Sequence, residues 1–180
     1  EIGARGSWPA AGLSYDIALF RQIVDDQIQQ VGQTPQGRNF FGNVARSKHD
    51  GIELALTWSP VRAAEIKARY MGSRFVFDEA DDASLEENHL PGIPSHRGYA
   101  HIQGEMQGWW GRLAGEAVPD YPVNDANTED APGYVVLDLR LGHREFQWHG
   151  MTLKPFVSID NLLDKRYAGS VVINAFGGEF

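Results

Sequence analysis

Acidic residues are concentrated in one stretch of this sequence. It runs from Asp78 to Asp82 and continues with Glu86 and Glu87. Carboxylates are the ligands that hard cations such as Ca²⁺ prefer, so a calcium site is one interpretation. The stretch lacks the regularly spaced ligands and the glycine turn of a recognised calcium loop. We therefore predict a solvated loop here, and no metal site.

The histidines show no metal-ligand spacing either. They are His49, His89, His96, His101, His143 and His149. His96 and His101 are the nearest to a pair, but they are five residues apart on a predicted strand. Successive strand side chains point to opposite faces, so these two imidazoles diverge. We assign them no metal.

A mixed set of charges near the C-terminus raises the question of acid–base catalysis. Asp138 and Arg140 are two residues apart and so project to one side of a strand, and we expect Asp160 on a neighbouring strand. Carboxylates alternate with Arg and Lys along many other strands as well, which favours a hydrated, charged wall over an active site. The sequence also lacks a nucleophile elbow and a glycine-rich phosphate loop. We predict no enzymatic activity and no cofactor.

The elements that position these charges are predicted by a two-residue alternation. Apolar residues alternate with mostly polar ones over 13–23 and over 52–58, and residues 135–141 alternate against Asp138, Arg140 and His143. Period two is the pattern of a strand with one apolar and one polar face. The predicted strands are 13–30, 39–58, 62–77, 95–107, 111–121, 133–145 and 151–164, after a strand end at 1–6.

Short and long connections alternate between these strands. Short ones are predicted at 59–61, 107–111 and 146–150, and long ones at 78–94, 119–132 and from Arg166 onward. Three strands could exceed 15 residues, whereas strands of soluble proteins run to about 3–10. Long meandering strands with this asymmetry are typical of outer-membrane β-barrels, with the apolar face toward lipid and the polar face toward the lumen. All five tryptophans lie near the short connections, as in an aromatic girdle: Trp8, Trp58, Trp109, Trp110 and Trp148.

Composition excludes some classes of function. The net charge of −8 argues against a nucleic-acid partner, and the absence of cysteine excludes disulfides and thiolate metal sites. No apolar run approaches the roughly 20 residues of a membrane-spanning helix. The alternation alone leaves open a soluble β-sandwich that binds carbohydrate through Trp109 and Trp110. A passive outer-membrane porin is also left open.

Four phrases resemble the TonB-dependent outer-membrane receptors, and they occur in that family's order. The most informative is Asn161 to Tyr167, with Leu163 where the family usually has Phe; residues 169–174 are similar to the ferric-siderophore branch. The other three phrases are Asn43–Leu54, Leu90–His96 and Ala131–Tyr134. The resemblance covers nearly all 180 residues.

The resemblance implies an all-β fold: an antiparallel meander of long strands, part of a 22-stranded transmembrane barrel. Residues 1–180 would be the C-terminal part of that barrel, without the plug domain, the TonB-contacting box and the last strand. The implied function is TonB-energised uptake of a ferric siderophore or similar metal chelate across the outer membrane of a Gram-negative bacterium. The implied partners are the chelate, outer-membrane lipid, and the TonB complex through the absent N-terminal region. From their positions in the loops and upper lumen, we expect ligand contacts from Tyr121, Asn124, Asn127, Tyr134 and Tyr167.

Overall fold

The computed structural model describes residues 1–80 and 82–175. Its main element is one antiparallel sheet of eight strands. The strands of this sheet are, in spatial order, β1 (Ile2–Trp8), β2 (Leu13–Gln33), β3 (Asn39–Val61), β4 (Ala64–Glu79), β5 (His96–Met106), β6 (Trp109–Val118), β9 (Tyr134–His143) and β12 (Phe156–Ile159). Two short hairpins lie outside it, β7 (Tyr121–Pro122) with β8 (Asp130–Ala131) and β10 (Phe146–Trp148) with β11 (Met151–Leu153). The predicted all-β meander is confirmed.

The register of the sheet separates two faces, because directly paired residues share a face. A row of paired residues on the apolar face contains Trp8, Leu13, Trp58, Ile66, Ile102, Leu113, Leu139 and Ile159. A row on the other face contains Arg5, Asp16, Ala55, Arg69, Tyr99, Glu116 and Val136. The alternation in the sequence therefore predicted the two faces correctly across most of the sheet.

The apolar face is exposed, although its side chains are large and hydrophobic. Leu19 is 50% exposed, Ile102 51% and Leu141 49%. Exposed apolar surface on this scale costs about 25 cal/mol for each Å² in water, so it indicates contact with a non-aqueous medium. One cluster of buried side chains, Val118, Tyr121, Val123 and Ala131, lies where the long connections meet the sheet, and Val76 and Phe77 are buried near the end of β4. The sheet therefore has no conventional core of its own within the described residues.

Strand length places part of the molecule outside a bilayer. β2 has 21 residues and β3 has 23. Since a transmembrane strand needs about 9–11 residues, the β2–β3 hairpin projects well beyond a membrane at its far end. Among residues 1–80 and 82–175, no helix has the length and apolar character of a membrane span.

The turns after β1, β3, β5 and β10 lie at one end of the sheet, which we call the short-turn end; the other end, with the five-residue β2–β3 turn and the long connections, is the long-loop end. Gln107 and Gly108 form a two-residue turn in which both φ angles are positive, 52° and 83°. This is the backbone of a type I′ hairpin, whose twist matches that of the strands. His149 and Gly150 repeat it, with φ angles of 47° and 81°.

Three details differ from the sequence-based expectations. The predicted strand 151–164 is divided into β11 and β12, since Pro155 has no N–H and its carbonyl instead accepts the His143 backbone N–H at 2.9 Å. His143 lies on the apolar face, where its ring meets Trp109 edge-on at 4.9 Å. Trp110 lies on the charged face, paired with Glu105 and Gly142.

Candidate functional site

At the long-loop end, three connections of the chain bind one another. Their residues come from 86–94, 119–133 and 167–174. The Gly92 backbone N–H donates to the Pro122 carbonyl at 2.7 Å, and the Asn174 backbone N–H donates to the Val123 carbonyl at 2.9 Å. We call this structure the loop cluster. Its backbone bonds make the three loops one unit, placed over the end of the sheet.

Asn127 holds two of these loops together. Its side-chain oxygen accepts the His89 backbone N–H at 2.7 Å, and its side-chain nitrogen donates to the His89 carbonyl at 2.9 Å. Asn124 instead acts within its own loop, where it accepts the Thr128 backbone N–H and donates to the Thr128 hydroxyl, both at 2.9 Å. In the described structure, both amides are therefore engaged in shaping the loop.

Asp125 is the centre of the loop cluster. One carboxylate oxygen accepts the Asn174 side-chain amide at 3.1 Å, while the other is buried without a hydrogen-bond partner. The Asp125 backbone N–H donates to the Asn174 side-chain oxygen, and the Asp125 carbonyl accepts the Asn88 amide. Burial raises the pKa of the Asp125 carboxyl above its usual value, and the bond from Asn174 opposes this rise. The cluster thus contains a titratable group on a cross-loop contact.

Beneath the loop cluster, the inner face of the sheet presents a group of polar and aromatic side chains. Arg97 donates to a Glu116 carboxylate oxygen at 3.0 Å, and the Tyr134 hydroxyl donates to the same oxygen at 3.0 Å. The Tyr134 and Tyr167 rings are tilted against each other with centroids 4.4 Å apart. Both ends of this group remain accessible to solvent, since the Arg97 side chain is 61% exposed and Tyr167 is 46% exposed.

A cavity of about 360 Å³ joins this group to the loop cluster. Arg97, Tyr121 and Tyr134 line it together with Val171 and Ile173. Its volume lies in the range of small-molecule sites, and its lining offers more polar than apolar surface. This cavity, with Tyr167 beside it, is the candidate site.

The five residues predicted from sequence are divided by the structure. Tyr121 and Tyr134 line the cavity, and Tyr167 contacts Tyr134. Asn124 and Asn127 lie in the loop cluster, and neither is among the lining residues. Their role as ligand contacts stays a prediction.

Arg97 was missed in the sequence, although a signal was present. It follows His96 at the start of β5, and the alternation of that strand places it on the same face as Tyr99 and His101. What the sequence does not reveal is which strand carries its partner: Glu116 reaches Arg97 only through the β5–β6 pairing.

Below the cavity, the inner face is a continuous set of charged contacts. Lys67 lies 3.1 Å from Glu65, and Arg112 donates to the Tyr99 hydroxyl at 2.6 Å. A concave region of about 450 Å³ nearby is lined by Arg5, Asp16, Glu53, Arg69 and Arg97, among others. The predicted charged wall is therefore present, with both signs of charge interleaved.

The chemical alternatives raised by the sequence are not supported by side-chain geometry. In the acidic stretch, Asp78 and Glu79 both pair with Arg46, and Glu87 pairs with Arg74. Asp82 accepts the Ser84 backbone N–H, which lowers the pKa of the Asp82 carboxyl; Asp81 lies outside the described residues. Among the residues described, no group of three His, Cys, Asp or Glu side chains could hold a metal ion.

Asp138, Arg140 and Asp160 do lie together, as the sequence predicted. Arg140 is 3.9 Å from Asp160, and the Asp138 carboxylate accepts the Asn161 backbone N–H at 2.9 Å. Asn161 in turn holds both backbone groups of Lys165, by a donated bond of 2.9 Å and an accepted bond of 3.0 Å. Asp138 therefore shapes the bend that follows β12.

Comparison with known proteins gives a consistent result. A family model described as TonB dependent receptor-like, beta-barrel, matches residues 1–162. The fold is similar to the siderophore receptor PiuA from Acinetobacter baumannii, with a TM-score of 0.74 and 21% identity over 92% of this chain and 24% of that protein. It is similar to the ferric yersiniabactin uptake receptor FyuA from Yersinia pestis, with a TM-score of 0.74 and 21% identity over 97% and 26% of the two chains.

The ferric-catecholate import receptor Fiu from K12 E. coli is a third similar structure. Its TM-score is 0.71 and its identity is 18%, over 94% of this chain and 24% of that protein. The chain spans about a quarter of the length of each of these three proteins.

Proposed function

Because this chain belongs to the TonB-dependent receptor-like β-barrel family, we propose that it serves the uptake of a ferric siderophore or similar metal chelate. Members of this family are β-barrels of the outer membrane, and that is the location of this chain. In the proposed activity, the chelate binds on the outer side and enters the lumen with energy delivered through TonB. The proposed partners are thus the chelate, TonB and membrane lipid.

We propose further that residues 1–180 form the C-terminal part of a 22-stranded barrel. The order of the four family phrases, which ends with Asn161 to Tyr167, supports this position. The plug domain, the TonB-contacting box and the last strand then belong to other parts of the parent protein. We assign the chain no enzymatic reaction.

The observation that carries the uptake proposal is that one sheet has an exposed apolar face and, opposite it, a charged, concave inner face. Lipid cannot hydrogen-bond the backbone, so a spanning sheet pairs strand to strand and turns apolar side chains outward. The family and the apolar face do not favour the soluble carbohydrate-binding sandwich, since in residues 1–80 and 82–175 no second large sheet covers the apolar face. Family membership likewise does not favour a passive porin.

In this proposal, the cavity under the loop cluster receives part of the chelate. Siderophore complexes that carry negative charge would meet Arg97, and their flat groups would pack on the Tyr134 and Tyr167 rings. Tyr121 also lines the cavity. Asn124 and Asn127 would act on the ligand from the loop above, beside their part in shaping it.

Direct binding to the purified full-length receptor tests this site. A panel of ferric chelates is titrated against the wild type and Arg97→Gln. We expect the variant to bind an anionic chelate roughly 10–100-fold more weakly, since a charge-assisted contact is worth about 1.5–3 kcal/mol.

Arg140→Gln is the matched control. It removes the same charge from the same face of the sheet, but Arg140 is not among the residues that line the cavity. Equal affinity of wild type and Arg97→Gln, or an equal loss in both variants, would contradict the assignment of the cavity.

A further inference from the structure

Three concave regions follow one another along the inner face of the sheet, from the long-loop end to the short-turn end. The upper cavity is the candidate site of about 360 Å³, and the middle cavity of about 450 Å³ shares Arg97 with it. The lower cavity has about 890 Å³ and is lined by Trp110 and Glu105, among others. Inward side chains of β5 follow this order, since Tyr99 lines the middle cavity and Gln103 the lower one. We call the three cavities together the inner track.

A group of four side chains separates the middle cavity from the lower one, and we call this group the partition. Tyr99 lines the middle cavity and Glu65 lines the lower one. His101 is only 8% exposed, and its Nε2 atom is 3.6 Å from Glu65. Arg112 completes the group, because it donates to the Tyr99 hydroxyl at 2.6 Å and to His101 Nδ1 at 3.3 Å. A ligand that passes along the inner track therefore meets Arg112 between the two cavities.

The partition holds Arg112 in place without neutralising its charge. A guanidinium group only donates hydrogen bonds, so His101 Nδ1 accepts this bond as part of a neutral imidazole. The other acceptor is the hydroxyl oxygen of Tyr99, which is uncharged. In the described part of the chain no carboxylate forms an ion pair with Arg112, and the Glu65 carboxylate lies 3.1 Å from Lys67 instead. The positive charge of Arg112 is therefore left for a further partner.

Most of the donors of Arg112 are also left for that partner. Both bonds within the partition come from one terminal nitrogen, Nη2. In the part of the chain that the structure describes, the N–H groups of Nε and Nη1 make no hydrogen bond. A guanidinium that is oriented in advance, charged and free on one edge matches the geometry of an anionic oxygen group such as a carboxylate.

We propose that the chelate moves along the inner track, and that Arg112 binds an anionic oxygen group of the chelate as it passes from the middle cavity to the lower one. Arg97 and Arg112 are then two successive cationic sites, one at each junction between cavities. The proposal commits the receptor to a negatively charged chelate. It rests on the proposed uptake function and adds to it the wall along which uptake proceeds.

Arg140 offers a matched control at the same depth in the sheet. It pairs directly with Arg112 across β6 and β9, so the two side chains share a face. The Arg140 side chain is 55% exposed, and it lies 3.9 Å from the Asp160 carboxylate. No hydrogen bond joins Arg140 to the partition in the described residues. Arg140→Gln therefore removes the same charge from the same row and leaves the partition intact.

Binding and uptake of the same complexes by the full-length receptor test the proposal. The probes are radiolabelled ferric citrate and a ferric tris-catecholate, which are anionic, and a ferric tris-hydroxamate, which is neutral. The dissociation constant is measured on purified receptor and the maximal uptake rate in cells with TonB. We expect Arg112→Gln to lower the maximal uptake rate of an anionic complex roughly 10-fold, with an unchanged dissociation constant, because the upper cavity is intact. Arg140→Gln should change neither quantity.

An unchanged uptake rate in Arg112→Gln, or an equal fall in Arg140→Gln, would overturn the proposal. Import of the neutral complex alone by the wild type would overturn it too. A fall of the same size for neutral and anionic complexes, with faster entry of a large antibiotic such as vancomycin, would show that Arg112 holds the plug domain instead. A wild type that imports none of the complexes would contradict the proposed uptake function itself.

Heat-modifiable mobility on gels shows whether each variant is folded. Arg112→Lys provides the same comparison if Arg112→Gln does not fold, since lysine keeps the charge and loses the planar fork. We expect it to lower the uptake rate of an anionic complex by less than Arg112→Gln and by more than Arg140→Gln. An uptake rate equal to that of Arg140→Gln would count against the proposal.

Discussion

Asparagine side chains stabilise several of the loops of this protein by hydrogen bonds. Asn127, Asn161 and Asn174 all adopt positive φ, at 52°, 54° and 52°. Asparagine tolerates this conformation better than most residues, and its amide can bind neighbouring backbone groups. The sequence predicted loops at Asn127 and Asn174, but it placed Asn161 in the predicted strand 151–164. It did not show that Asn127 reaches His89 in a different loop, because that contact depends on how the connections are packed.

Asn127 should therefore act through the loop cluster. Asn127→Ala removes both bonds to His89 and places alanine at positive φ. We expect the free energy of local opening to fall by about 1–3 kcal/mol, with faster amide exchange in both 86–92 and 119–133.

Asn124→Ala is the control for this effect, since its amide bonds stay within one loop. It should speed exchange near Thr128 and leave 86–92 protected. If Asn127→Ala weakened chelate binding while exchange was unchanged, Asn127 would be a direct ligand contact and the structural account would be wrong.

The Asp125 carboxyl should make the loop cluster sensitive to pH. Its pKa is raised by burial, so the folded loops bind the proton more tightly than unfolded ones. The stabilisation is fully present below the unfolded pKa of about 3.9 and is lost as pH rises through the raised folded pKa. Asp125→Asn is neutral throughout and retains an oxygen to accept the Asn174 amide.

The measurement is the ratio of amide exchange rates in 119–133 between wild type and Asp125→Asn, taken at a series of pH values. The comparison at equal pH cancels the intrinsic pH dependence of exchange. We expect a ratio near one at about pH 3 and faster exchange in the wild type above the raised pKa. A ratio that does not vary with pH would show that the Asp125 carboxyl does not control the cluster.

At the scale of elements, turns are determined locally and strand partners are not. The alternation and the glycine–proline breaks predicted seven of the strands approximately, together with the alternation of short and long connections. They did not predict the β7–β8 pair inside 119–132, which is formed by only two residues on each side. They also missed the division of 151–164 at Pro155, which has no N–H to donate to a neighbouring strand.

Gly12 is a turn position where the conformation and the space both require glycine. Its φ is 64°, and an added Cβ would lie 2.1 Å from the Ser59 carbonyl oxygen. Gly12→Ala should therefore lower the free energy of unfolding by more than the roughly 1–2 kcal/mol of the left-handed conformation alone. Urea unfolding of the full-length receptor in lipid vesicles measures this change.

Gly37→Ala separates the two causes. Gly37 has a φ of 79°, but an added Cβ would meet nothing within 4 Å. We expect Gly37→Ala to lower the free energy of unfolding by less than Gly12→Ala does, because only the conformational cost applies and no atom clashes with the added Cβ. Equal losses in the two variants would show that the β1–β2 turn moves away from Ser59 at little cost.

At the scale of the whole molecule, the sequence predicted the two faces of the sheet. It did not show by itself which medium contacts each face, and that conclusion depends on the structure and the family. Rows of paired Leu, Ile and Trp would suit a buried core as well as lipid. The decisive observations are that the large apolar side chains of the apolar face stay exposed, and that the chain matches a family of outer-membrane barrels. Ligand identity could not be predicted, because the cavity is formed by residues from β5, β6, β9 and three loops that meet only in the folded sheet.

Uptake of radiolabelled ferric chelates by whole cells tests the central claim most directly. Four strains are compared: with and without the gene for the full-length receptor, each with and without functional TonB. We predict that at least one chelate accumulates only in cells that have both the receptor and TonB. Accumulation that is independent of the receptor gene for every chelate, or that persists without TonB, would contradict the account.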